Sequence, residues 1–171
     1  MKFTDAVKTC FGNYLTFSGR AQRSEYWWFV LFVVLVSVIS AILDSFLFGV
    51  DAETGEGRQV ITPLVQLGVA LPMLAAGWRR LHDTGRPGWY LLLPLGLSVA
   101  SVVLLMSGVA AFSVLEQNVE NADALRGPAA FLGVGGLVTV WILQLALSIL
   151  MIWWLTRPSQ KGENDYEPSV T

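Results

Sequence analysis

The chain has 171 residues, of which 54% are hydrophobic and 14% charged, with a formal net charge of −2. That composition describes one small helical bundle and leaves little mass for a separate water-soluble domain. Cys10 is the only cysteine, which excludes an internal disulfide and a cysteine-based metal cluster within one chain.

The first predicted element is amphipathic. Phe3, Ala6, Val7, Cys10, Phe11, Tyr14 and Leu15 fall on one stripe of a helix over 3–17, with Lys2, Asp5, Lys8 and Asn13 elsewhere. Such a helix is expected to lie in the membrane interface or to pack on the ends of a helical bundle. Gly12 weakens it, and Ser18-Gly19 reads as a break before the chain turns.

Four apolar stretches follow, at 26–43, 61–78, 88–115 and 129–155, and none contains Asp, Glu, Lys, Arg or His. A bilayer's hydrocarbon core is crossed by about 20 helical residues, so these stretches predict four membrane spans. The first is too long for the apolar core of a cleaved leader and reads as a signal anchor. Proton relays and ion pathways generally need an ionisable group at depth, and the predicted spans supply none. Pro72 and Pro94 are expected to kink the second and third spans.

Basic residues set the orientation. Nine lie before the first span (Lys2, Lys8, Arg20, Arg23), between the second and third (Arg79, Arg80, Arg86) and in the tail at 156–171 (Arg157, Lys161), against two, Arg58 and Arg126, in the other connections. The positive-inside rule then puts both termini in the cytoplasm. The two outer connections are acidic, with Asp44, Asp51, Glu53, Glu56, Glu116, Glu120 and Asp123. Tryptophans at 27, 28, 78, 89, 153 and 154 mark the basic side, where amphipathic rings prefer the headgroup level.

Two motifs concentrate the charge. Gly19-Arg20-Ala21-Gln22-Arg23-Ser24-Glu25-Tyr26-Trp27-Trp28-Phe29 enters the first span, and Arg79-Arg80-Leu81-His82-Asp83-Thr84-Gly85-Arg86-Pro87-Gly88-Trp89-Tyr90 joins the second to the third. Guanidinium groups fork onto carboxylates or phosphates, so Arg20, Arg23, Arg79, Arg80 and Arg86 are candidate anion or lipid ligands, with Glu25, His82 and Asp83 as rim partners. Pro87-Gly88 has the chemistry of the second and third positions of a tight turn. His82-Asp83 is no catalytic dyad by adjacency alone. One histidine among scattered carboxylates is a weak metal site, and no nucleophile or phosphate-loop motif appears.

These motifs resemble the signature pair of the bacterial inner-membrane family known as domain of unknown function 805, which includes four-span proteins of this size. The segment Lys161-Gly162-Glu163-Asn164-Asp165-Tyr166-Glu167-Pro168 is similar to that family's Gly-Glu-Asn-x-aromatic-Gly ending, with Glu167 where a glycine is expected. The resemblance implies a multi-pass bacterial inner-membrane protein and no particular biochemistry.

The expectation is an all-α integral membrane four-helix bundle with an N-terminal interfacial helix, forming one membrane domain over 1–171. It is read as non-enzymatic, without cofactor, metal or nucleic acid. Its basic cytoplasmic rim binds anionic membrane lipids or a protein partner, a second copy included. The competing reading is a small transporter or membrane enzyme for an anionic substrate, using His82, Asp83 and Glu25.

Overall fold

The computed structural model describes residues 1–49, 57–118, 122–162, 164 and 166. Their regular structure is helical: α1 (Phe3–Gly12), α2 (Arg23–Phe48), α3 (Ile61–Asp83), a 3-10 turn at Gly88–Leu92, α4 (Leu93–Asn118) and α5 (Ala122–Thr156). Among the described residues four helical segments are long and apolar enough to cross a membrane, namely Arg23–Phe48, Ile61–Asp83, Gly88–Val114 and Gly135–Thr156. The helices outrun the apolar stretches at their ends, so Arg23 and Glu25 lie in the first turn of α2 and Arg79 to Asp83 in the last turns of α3.

The chain forms two compact units, Met1–Tyr90 with Trp154–Thr171, and Leu91–Trp153. In the second unit, the hydroxyls of α4 are satisfied within the helix: Ser98 donates to Pro94 O at 2.9 Å, Ser101 to Leu97 O at 2.6 Å and Ser107 to Leu104 O at 2.9 Å. Back-bonding of this kind lets a serine sit in an apolar helix without an outside partner. Pro94 is the second residue of α4, where no helical N–H bond is forfeited, so it starts the helix rather than kinking it. The turn before it also differs from expectation. Its closing bond runs from Tyr90 N–H to Pro87 O at 3.2 Å, so Pro87 opens the turn and Gly88 stands second. Gly88 lies against the Trp78 indole, with no room there for a Cβ.

In the first unit, α1 packs on α2 and α3. Ala6 and Cys10 are fully buried, Phe3 meets Trp28 edge-on at 5.9 Å, and Phe11 meets Phe29 edge-on at 5.6 Å. The helix stops at Gly12 rather than running to 17. Glycine is a poor helix former, and Asn13 closes the end by donating to Thr9 O through both its backbone N–H and its side-chain amide, each at 3.0 Å.

Beyond that break the Tyr14 hydroxyl donates to Gly68 O, in the middle of α3, at 2.7 Å. The reason lies four residues further on. Pro72 has no N–H, so the carbonyl of Gly68 has no helical donor, and Tyr14 supplies one.

At its other end α3 is capped from α2. Asp44 accepts from the N–H groups of Val60 at 3.1 Å, Ile61 at 2.7 Å and Thr62 at 2.8 Å. A helix start leaves four N–H groups without helical partners. Here three are held by one buried carboxylate and the fourth position is Pro63, which has none. Asp44 therefore belongs to a helix and a cap, not to an acidic loop. Asp51, Glu53, Glu56, Glu120 and Glu167 lie outside the described residues.

Candidate functional site

The two motifs meet because the loop before α2 runs beside the end of α3, with Ala21 N–H donating to Arg79 O at 3.1 Å. Arg20, from that loop, donates through Nε to Asp83 Oδ1 at 3.0 Å. Arg80, one turn back from Asp83 along α3, bonds the other carboxylate oxygen through Nη1. All three side chains are at most 1% exposed, so this is a buried ion triad. Its desolvation is offset only because each remaining donor finds an acceptor.

Those acceptors are mainly main-chain oxygens of the last turn of α5 and the segment after it. Arg20 donates to Gln160 O at 2.6 Å through Nη2 and to Gly162 O at 2.8 Å through Nη1. Arg80 donates to Leu155 O at 3.0 Å through Nε and to Arg157 O through Nη2. The carbonyls at a helix C-terminus lack helical donors and carry partial negative charge, which suits a cation. The segment is held further by Gln160 N–H to Asp83 O at 2.9 Å and Asn164 Nδ2 to His82 O at 2.8 Å. Tyr166 stacks on the His82 ring at 4.0 Å, nearly parallel, while His82 Nδ1 donates to Gly19 O at 3.2 Å.

A second pairing lies beside the triad. Arg79 donates through Nη1 to Glu25 Oε1 at 2.9 Å, and the Cys10 thiol donates to the same oxygen at 3.8 Å. One residue from each of α1, α2 and α3 thus meets at a single buried carboxylate. Burial, and after it the negative charge of Glu25, push the Cys10 thiol up to about 12. Nε and Nη2 of Arg79 are buried and have no hydrogen-bond partner among the described residues.

Arg23 and Arg86 differ from the other three. Arg23 is exposed and, among the described residues, has one long hydrogen bond, to Thr156 O at 3.5 Å. Arg86 stands over the Trp154 ring at 5.0 Å and donates to Thr84 O at 3.1 Å. Partial burial, followed by the charge of Arg157, lowers its pKa. Neither forms an ion pair with a carboxylate among the described residues.

The structure therefore brings together six of the residues singled out in sequence, Arg20, Arg79, Arg80, Glu25, His82 and Asp83, and sets Arg23 and Arg86 apart from them. Sequence reading missed Cys10 as a partner of Glu25 and the carbonyls at 155–162 as partners of Arg20 and Arg80. Main-chain acceptors have no side-chain signature. Among the described residues no group of three or more metal-ligating side chains forms.

The chain has relatives among known proteins. The chain is similar to the inner membrane protein YhaH of Escherichia coli strain K12, 42% identical over 81 residues that span 47% of this chain and 64% of YhaH. It is also similar to the inner membrane protein YhaI of the same strain, 38% identical over 94 residues, 55% of this chain and 74% of YhaI. No solved structure matches. With the family profile matching residues 14–168, from Tyr14 through both arginine motifs to the tail, the chain belongs to the family described as Protein of unknown function (DUF805).

Proposed function

We propose that the protein is a non-enzymatic, multi-pass component of the bacterial inner (plasma) membrane, with both termini cytoplasmic, whose basic rim engages anionic lipid headgroups. The observation that carries this reading is the division of the arginines. Arg20, Arg79 and Arg80 hold the two carboxylates of the rim, while Arg23 and Arg86 form no ion pair with a carboxylate among the described residues. A guanidinium at the end of a spanning helix then finds its anion in the leaflet.

The residues that a transporter or enzyme would need are otherwise engaged. Asp83 bonds two arginines, Glu25 bonds Arg79, and His82 is held by Gly19 O beneath Tyr166.

Native mass spectrometry of the purified protein tests the reading. Phosphatidylglycerol or cardiolipin should be retained over neutral lipid, and the double substitution Arg23→Gln, Arg86→Gln should remove most of that preference. Equal retention of neutral and anionic lipid by the unmodified protein would overturn it and favour a protein partner. For orientation, a cysteine placed at exposed Lys8 in a Cys10→Ser background should react with an impermeant maleimide in inverted vesicles and not in intact cells.

A further inference from the structure

We infer that the start of α2 carries a site for a single phospholipid, with Arg23 on the phosphodiester of an anionic headgroup and Trp27, Trp28 and Leu31 along the adjoining acyl chain. This rests on the lipid-binding reading above and assigns it to one place.

Two open depressions meet at Arg23 and Ser24. One, of about 350 Å³, has mainly apolar walls from Trp27, Trp28 and Leu31 as well as these two residues. The other, of about 300 Å³, is mainly polar and is completed by Gln22, Pro158 and Ser159. A polar hollow and an apolar one joined at a single cation match an amphiphile. A soluble anion would leave the apolar half unused, and a purely apolar ligand would leave Arg23 unpaired.

The direction along the helix agrees. Trp27, Trp28 and Leu31 lie within one turn on adjoining positions, and Leu31 stands two turns into a membrane-spanning helix from Arg23. A lipid beside a spanning helix has the same order, headgroup at the helix end and chain along its length. Indole rings favour the level between the two. Charge agrees as well. The nearest acid along the helix, Glu25, is held by Arg79, and Arg23 forms no ion pair among the described residues. Since Arg23 is exposed and its one hydrogen bond among the described residues is long, replacing it disturbs little of the fold.

The test uses the full chain in nanodiscs, with tryptophan fluorescence quenched by lipids brominated on the acyl chain. Brominated phosphatidylglycerol should quench with about fivefold higher apparent affinity than brominated phosphatidylcholine, the ratio that one arginine near an anionic headgroup supplies. Arg23→Gln should remove the part of the difference carried by Trp27 and Trp28, and Arg23→Lys should keep most of it. The double substitution Trp27→Phe, Trp28→Phe should remove the phosphatidylglycerol-specific component while preserving ring packing. Excess glycerol 3-phosphate, which has no acyl chain, should leave the preference intact.

If the unmodified protein prefers anionic lipid and Arg23→Gln does not change that, this site is overturned and the wider rim reading stands. Equal quenching by both lipids in the unmodified protein overturns both. Displacement by glycerol 3-phosphate would make the site one for a soluble anion and overturn the lipid assignment.

Discussion

Asp83 accepts from Arg20 through one carboxylate oxygen and from Arg80 through the other, and this one acid joins the loop before α2 to the end of α3 with all three side chains buried. Asp83→Asn keeps the volume and removes the charge. Breaking a buried ion pair from one side costs about 3–5 kcal/mol, because the partner stays buried without compensation. Here two guanidinium groups are left so. The detergent-solubilised variant should lose stability by at least that amount in thermal or denaturant melts, while the exposed change Lys8→Gln shifts them little. A variant as stable as the parent would mean that water reaches the triad.

The contact between Tyr14 and Gly68 makes a sharper test, because its cause is specific. Tyr14→Phe should cost about 1–2 kcal/mol, the penalty for a carbonyl left without a donor. In a Pro72→Ala background residue 72 regains an N–H for Gly68 O, so the same substitution should cost much less. The coupling in that double-mutant cycle is the measurement. Additive effects would show that Tyr14 contributes only packing.

Cys10 reports on the closed state of the helix junction. Its thiol is raised from 9.0 to about 12, so at pH 8 the folded protein should react with iodoacetamide about a thousandfold more slowly than the unfolded chain, from thiolate fraction alone. The sign for stability follows. Below pH 9 both states hold the proton and the contribution is fully present; between pH 9 and about 12 the unfolded thiol ionises first, and the contribution is lost as pH rises. Cys10→Ser should flatten that alkaline loss. Fast alkylation of the native protein at pH 8 would place the thiol in solvent.

Gly88 and Gly85 test the fit of the turn. A Cβ at Gly88 would enter the Trp78 indole; Gly85 has φ 72° and a Cβ there would also meet the Gln160 amide. Gly88→Ala should cost about 1–3 kcal/mol by overpacking and Gly85→Ala about 1–2 kcal/mol by backbone strain. Replacing Gln160 by Gly should relieve part of the second and none of the first. Relief of both would point to a general loosening instead of two separate contacts.

The membrane-spanning helices were legible because lipid demands uninterrupted apolar stretches: those at 26–43, 61–78 and 129–155 fall within α2, α3 and α5, and that at 88–115 covers the 3-10 turn and most of α4. Their ends were less legible, since a helix continues past the last apolar residue when its charges are satisfied, as at Glu25 and Asp83. Asp44 read as a loop acid because its role depends on a contact across the α2–α3 hairpin, which no local pattern reveals. Pro63 and Pro72 held usable clues. Each removes a donor at a known place, which limits what a neighbour must supply. The convergence of both arginine motifs could be expected from charge, but not the pairing, because the acceptors at 155–162 are backbone.

The dependence of Arg20 and Arg80 on that backbone also orders assembly. Both arginines are synthesised before Leu155, Arg157, Gln160 and Gly162 exist, so a nascent chain that already has α1, α2 and α3 still holds two guanidinium groups short of their acceptors. Closure of the rim therefore waits on the last-made segment, and until it arrives Asp83 has to serve both guanidinium groups.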